Sequence, residues 1–195
     1  MEYKKNSNDL IDFIKEATSP FHVVKKSASL LEEAGFEKID VTKEWTLEKG
    51  KSYYTTPYGS VLFAFTIPED IENGNFRIAA AHTDHPCLRI KPVAEIYEGA
   101  YLRIDTGIYG GPILNTWLDR PLSIAGKVSL KSDDLFHPRS KLVDFKRPIL
   151  TIPNLAVHLN SEVNKGIELN KQTDMIPLAG MVNEELNKKI YYIKY

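Results

Sequence analysis

Helical periodicity is confined to the residues before Gly35 and to a short run near the end of the chain, and proline and glycine cut almost everything between into short pieces. That distribution limits the fold to two helices and a few strands followed by a mostly-β segment, hence two units with a boundary near residues 88–100. In the first unit, Leu10, Ile11, Phe13 and Ile14 recur at helical spacing, with Ser7 or Asn8 as candidate cap. This helix must stop before Pro20, because the residue preceding a proline is pushed out of helical geometry. Ser19 can then cap a second helix, with Pro20 at its first position. Val24, Ala28 and Leu31 form its apolar face, and Gly35 supplies the left-handed residue that closes it.

Strand chemistry follows. Residues 51–56 and 61–67 flank the turn signal Pro57-Tyr58-Gly59-Ser60 and predict a hairpin. After a polar loop over residues 68–74, the short apolar run 76–81 predicts a buried strand that ends directly at His82. Beyond Arg89, strand-like runs occur at residues 101–104, 122–130, 148–152 and 155–159. They are separated by Pro92, Gly99, Gly107, Gly110-Gly111-Pro112, Pro138, Pro148 and Pro153. Helical spacing returns over residues 181–189.

Composition excludes several classes of function. The 195 residues are enough for one domain or two small ones, and 43% hydrophobic content supports a packed core rather than disorder. A formal charge of −1, with signs mixed along the chain, lacks the basic patch of a nucleic-acid or membrane-surface binder. No apolar run approaches the roughly 18 residues of a membrane span. The polar start Met1-Glu2-Tyr3-Lys4-Lys5-Asn6 lacks the apolar stretch of a signal peptide. Cys87 is the single cysteine, so no internal disulfide can form, and a soluble cytoplasmic protein is the default expectation.

The chemistry concentrates in Ala80-Ala81-His82-Thr83-Asp84-His85-Pro86. In open α/β sheets, ligands gather outside the carboxyl ends of strands. A histidine there can offer one ring nitrogen to a metal, and an aspartate two residues on can hold the other nitrogen, fixing the tautomer and raising ligand basicity. One histidine is not a zinc site, which needs three or four protein ligands. Taken alone, the pair reads more readily as a loop histidine capped by a neighbouring carboxylate than as a metal ligand.

The wider sequence resembles the aspartyl aminopeptidase (aminopeptidase I) family. Residues Ala80 to Lys91, reading Ala-Ala-His-Thr-Asp-His-Pro-Cys-Leu-Arg-Ile-Lys, are similar to that family's first metal-binding segment. Ser19-Pro20-Phe21-His22, Leu31-x-x-Ala34-Gly35-Phe36, and Trp45 ahead of Tyr53-Tyr54 resemble its beginning. Tyr109-Gly110-Gly111 with Asn115-Thr116-Trp117-Leu118-Asp119-Arg120-Pro121-Leu122 resembles its glycine-rich segment. Arg147-Pro148-Ile149-Leu150-x-Ile152-Pro153-Asn154-Leu155-Ala156-Val157-His158-Leu159 is a further match, and Met175-Ile176-Pro177-Leu178 with Glu184-Glu185-Leu186 a weaker one. The motifs run in family order over nearly the whole chain.

The resemblance implies an α/β metallopeptidase domain interrupted by an inserted β-rich, barrel-like oligomerisation domain. Residues 1–92 would be the N-terminal part of the first and residues 93–195 the second. It implies an aminopeptidase that removes N-terminal, often acidic, residues from peptides with two metal ions, commonly zinc. There a metal-bound water attacks the scissile carbonyl and a glutamate acts as general base. His82 corresponds to a metal ligand, Asp84 to the aspartate that orients it, and His158 to a histidine that reaches a neighbouring subunit's site to bind substrate or stabilise an oxyanion. The family's bridging aspartate, paired glutamates, further aspartate and last histidine follow the inserted domain, whereas this chain stops at Tyr195. Asp119 does not replace the bridging aspartate, because Trp117-x-Asp119-Arg120 matches the inserted domain.

The expectation is therefore an N-terminal fragment of a zinc aminopeptidase, inactive alone. The alternative is a non-catalytic assembly protein that joins a full-length aminopeptidase and donates His158. The DNA downstream of Tyr195 separates the two, and an unrelated β-rich binding module would require the ordered motifs to be coincidence. A half-built sheet also exposes edges that pair with other chains, so oligomerisation through the β-rich half is expected.

Other candidates read better as structure. His85 is a variable loop residue rather than a substrate or second-metal contact. Cys87 is a small buried apolar group rather than a soft ligand. His22 belongs to a helix start, and His137 takes no role. Asp119 and Arg120 form a charge pair ordering the glycine-rich loop. Trp45 and Trp117 are core or interface anchors, and Gly110-Gly111 is a turn. His158, on the apolar run 155–159, reads from its neighbours as a core histidine, and only the resemblance gives it a function.

Overall fold

The computed structural model describes residues 2–72, 75–134, 136, 138–166 and 168–182. They form a mixed α/β structure with small sheets and, among the described residues, no closed barrel. The elements are α1 (Glu2–Glu16), α2 (Pro20–Glu33), β1 (Glu37–Lys38), β2 (Ser52–Thr55), β3 (Phe63–Thr66), β4 (Cys87–Glu98), β5 (Tyr101–Tyr109), β6 (Ala125–Ser129), β7 (Ser140–Asp144) and β8 (Leu178–Met181). Two compact units result, one of Met1–His85 with Ala125–Val128 and one of Pro86–Ile124 with Ser129–Tyr195. No described helix is long and apolar enough to cross a membrane.

In the first unit, α2 follows its local signals closely. The Ser19 side chain accepts a hydrogen bond from the His22 backbone N–H, and Pro20 occupies the first turn. At the other end, Gly35 at φ +85 lets the Gly35 N–H reach Glu32 and the Phe36 N–H reach Leu31, so two otherwise orphaned carbonyls are satisfied. The start of α1 differs from expectation. Ser7 does not cap it, because the helix begins five residues earlier and the Ser7 hydroxyl donates to the Tyr3 carbonyl inside it. Leu10, Ile11 and Ile14 of α1 remain exposed.

The predicted hairpin is present as β2 and β3, antiparallel, with β1 added in parallel on the far edge of β2. Successive side chains of β2 face opposite ways. The Tyr53 ring lies 5.8 Å from Phe65, which in turn stacks on Trp45, while the hydroxyl of fully buried Tyr54 donates to the Glu32 carboxylate of α2. Val24, Tyr53 and Tyr54 make the small core of this unit.

Residues 76–81 do not form the buried strand expected of them. They carry no strand assignment, and Phe76 and Ile78 are almost fully exposed. A strand exists only where a neighbour's backbone offers hydrogen-bond partners, and among the described residues none lies alongside.

The second unit is built on β4, β5 and β8, paired antiparallel in that order. Gly99, at φ +58, holds the first central position of the tight turn between β4 and β5. The register shifts between Ile90 and Glu95, and Pro92 sits in that bulge, where its missing N–H costs no ladder bond. Leu102 of β5, Ile152, Met175 and Ile176 are buried and make the core of this unit. The Ile104 N–H donates to Pro177, and the buried Thr106 hydroxyl donates to the Met175 carbonyl at 3.0 Å. Thr106→Val leaves that carbonyl unpaired in the core and is expected to cost about 2 kcal/mol in urea denaturation, with Thr106→Ser recovering most of it. Equal stability of the valine variant would show the bond to be dispensable.

Two other strand-like runs also turn out differently. In residues 148–152 only single bridges form, Leu150 with Leu122 and Thr151 with Leu178. Residues 155–159 form no strand, and 157–159 make a turn. The helical pattern over 181–189 falls outside the described residues except for Met181, the last residue of β8, and Val182.

Candidate metal centre

The segment after residues 76–81 has no regular secondary structure, and the chain bends at Thr83. Within it, His82 Nδ1 lies 2.9 Å from Asp84 Oδ1. With the neutral ring, Nδ1–H donates to the carboxylate, and that contact leaves Nε2 uncommitted. The His82 side chain is 89% exposed and that of Asp84 34% exposed, so the ring is offered to solvent while its carboxylate partner is more sheltered. The arrangement is the one a metal-binding imidazole needs, with a tautomer set from behind and a free nitrogen in front.

The pair stands alone as a candidate ligand set among the described residues. Among the described residues no group of three or more His, Cys, Asp or Glu side chains gathers where a metal could be held. The imidazole and its carboxylate fit zinc's preference for nitrogen donors, but a single ligand falls short of the three or four that zinc requires. His85 is exposed beside the pair, and Cys87, half-buried, opens β4. His22 Nδ1 lies 2.7 Å from the Ser19 hydroxyl at the head of α2. His137 falls outside the described residues.

His158 belongs to the second unit. The core-strand position read from its apolar neighbours is not realised. The segment turns on Ala156, whose carbonyl accepts from the N–H groups of Leu159 and Asn160, and His158, Leu155, Val157 and Leu159 are all exposed. Proline and asparagine just upstream, Pro153-Asn154, are the local signal for such a loop.

Asp119 adopts φ +55, its N–H donates to the Ile152 carbonyl, and its carboxylate accepts from the Asn154 N–H at 2.9 Å. Its ordering contact is thus with the backbone that leads to His158, and the expected pairing with Arg120 does not form among the described residues. The Thr83 hydroxyl, which sequence reading passed over, donates to the Ser60 carbonyl at 2.8 Å. No local pattern marks that bond, because its partner lies 23 residues away.

The family model described as aminopeptidase I zinc metalloprotease (M18) matches residues 13–192. The chain is 43% identical over 192 residues to the probable M18 family aminopeptidase 2 of Clostridium novyi, an alignment spanning 97% of this chain and 44% of that protein. Among solved structures, the chain is similar to one from the Ape4 and Nbr1 complex, with 36% identity and a TM-score of 0.87, covering 93% of this chain and 35% of that one. It is also similar to a chain of the S. cerevisiae mApe1 dodecamer, with 26% identity and a TM-score of 0.72, covering 100% of this chain and 42% of that one. The 195 residues therefore span less than half the length of the relatives they match.

Proposed function

The chain belongs to the aminopeptidase I (M18) family of zinc metalloproteases, and from that premise we propose that it supplies the first corner of a metal-dependent aminopeptidase acting on peptides with N-terminal, including acidic, residues. The observation that carries this reading is the His82–Asp84 pair, held at 2.9 Å with Nε2 left for a metal. In this reading His82 is the zinc ligand and Asp84 orients it. Zinc, two ions in the complete site, supplies the Lewis acidity for peptide hydrolysis.

We assign residues 1–92 to the metallopeptidase domain and residues 93–195 to an inserted β-rich domain that makes subunit contacts. His158 acts in a neighbouring subunit's site. Its exposed turn supports that assignment, since a residue serving another chain must be presented outward. The S. cerevisiae relative, solved as a dodecamer, supports a homo-oligomer.

A single described ligand also supports a functional limit. The 195-residue chain by itself binds zinc weakly and does not hydrolyse peptides, because one imidazole cannot hold the metal that the chemistry needs. The exposed turn that carries His158 is also compatible with the second reading, an assembly subunit that joins a longer aminopeptidase and lends it His158. Peptidase assays on the purified chain with zinc, manganese or cobalt are expected to show no turnover above a His82→Ala control. Turnover above that control would overturn the limit. Restoration or stimulation of a full-length relative's activity by the chain, lost with His158→Ala, is the result expected of the assembly reading.

A further inference from the structure

We propose that Thr83 is a positioning residue for the metal-binding pair, pinning the bend that carries His82 and Asp84 to the Pro57–Ser60 turn. The inference rests on the reading of His82 as a metal ligand and adds to it the part that holds the ligand in place.

His82 and Asp84 orient each other, but they ride on the same short stretch of backbone, so their mutual contact does not fix where the pair points. The stretch is irregular, and the preceding residues 76–81 are exposed and outside any strand. Thr83, between them and half-buried, reaches back 23 residues to the Ser60 carbonyl. A hydroxyl-to-carbonyl bond of 2.8 Å at the apex of a bend restrains the residues on both sides of it.

The acceptor is itself tightly held. Tyr58 has φ +59, a left-handed conformation that is costly for a bulky residue and persists only where surroundings hold it. Those surroundings are visible. The Gly59 N–H donates to Thr56 and the Val61 N–H to Pro57 across the turn. The Tyr58 carbonyl accepts from Lys127 Nζ at 3.1 Å, and that ammonium also lies 4.5 Å from the centre of the Phe21 ring on the first turn of α2. A chain of contacts thus runs from the start of α2 through Lys127 and the strained turn to Thr83. The ring and the carboxylate meet at the end of it.

The test uses the isotope-labelled 195-residue chain. Zinc chloride is titrated in while the His82 ring resonances are followed, for wild type, Thr83→Val, Thr83→Ser and His82→Ala, the last followed on the amides of residues 83–85. Before zinc is added, long-range nitrogen couplings report the ring tautomer. Thr83→Val is expected to raise the zinc midpoint about tenfold, the lower end of the range for losing an outer support of a ligand. It should also convert the ring from the Nδ1-protonated form to a mixture. Thr83→Ser, which keeps the hydroxyl, should stay within about twofold of wild type in midpoint and retain the tautomer. If Thr83→Val leaves midpoint and tautomer unchanged while His82→Ala abolishes the zinc response, the positioning role is overturned and the metal reading stands. If the zinc response survives His82→Ala yet the tautomer still follows Thr83, the metal reading falls and the pin remains.

Discussion

Tyr54→Ala is expected to lower the free energy of unfolding by about 4 kcal/mol, measured as the shift in a urea titration. Natural domains have only about 5–15 kcal/mol in total, so this removes a large part of the stability of the first unit. The magnitude follows from complete burial of the Tyr54 ring in a core that contains few other side chains. Its hydroxyl also ties β2 to α2 through the Glu32 carboxylate. Tyr54→Phe keeps the ring and loses only that bond, for an expected cost of about 1.5 kcal/mol.

The same residue gives the unit a pH dependence. Burial, reinforced by the hydrogen bond to Glu32 and its negative charge, pushes the Tyr54 hydroxyl up to about 12. In the unfolded chain the group titrates near its ordinary value of about 10. Its contribution to stability is therefore whole below about pH 10 and is lost as pH rises toward 12. The wild-type chain should lose stability across that interval, and Tyr54→Phe should lose less. If both curves fall in parallel, Tyr54 is not the group responsible.

Asp84→Ala is expected to raise the zinc midpoint at His82 by ten- to a hundredfold, since the carboxylate both fixes the Nδ1–H tautomer and makes Nε2 a better donor. Asp84→Asn keeps the shape and an oxygen acceptor but loses the charge, so its midpoint should lie between the two. Isothermal titration and the His82 ring shifts measure the same quantity independently. A midpoint for Asp84→Ala within about twofold of wild type would mean that the 2.9 Å contact does nothing for the metal, and the assignment of Asp84 would fall.

The elements legible in the sequence share a physical property: the groups that define them are close along the chain. Ser19, Gly35 and Phe36 bound α2 through hydrogen bonds to groups three to five residues away, and Pro20 fits its first turn because it has no N–H to satisfy. The turn at Pro57–Gly59 brings its flanking runs together as β2 and β3, and Asp84 reaches a ring only two residues back. Proline obscures β4 in the sequence. A proline inside a run argues against a strand, but Pro92 sits in a bulge where the ladder is already interrupted, so a 12-residue strand runs through it. Residues 76–81 and 155–159 show the opposite case. Both are apolar enough for buried strands, yet hydrophobicity supplies no hydrogen-bond partner, and neither has one in a sheet.

By itself, then, the sequence determined the two helices, the caps of α2, the first hairpin, the His82–Asp84 pair and the family, because ordered motifs and short-range bonds need no knowledge of the rest of the chain. Only the tertiary structure decided that β4 is one long bulged strand, that His158 stands on an exposed turn supported by Asp119 through Asn154, and that Thr83 hangs the bend carrying His82 and Asp84 on the Ser60 carbonyl. Those features rest on partners 23 to 35 residues apart, or on a neighbouring strand, and backbone groups at that separation find each other only through the packed fold.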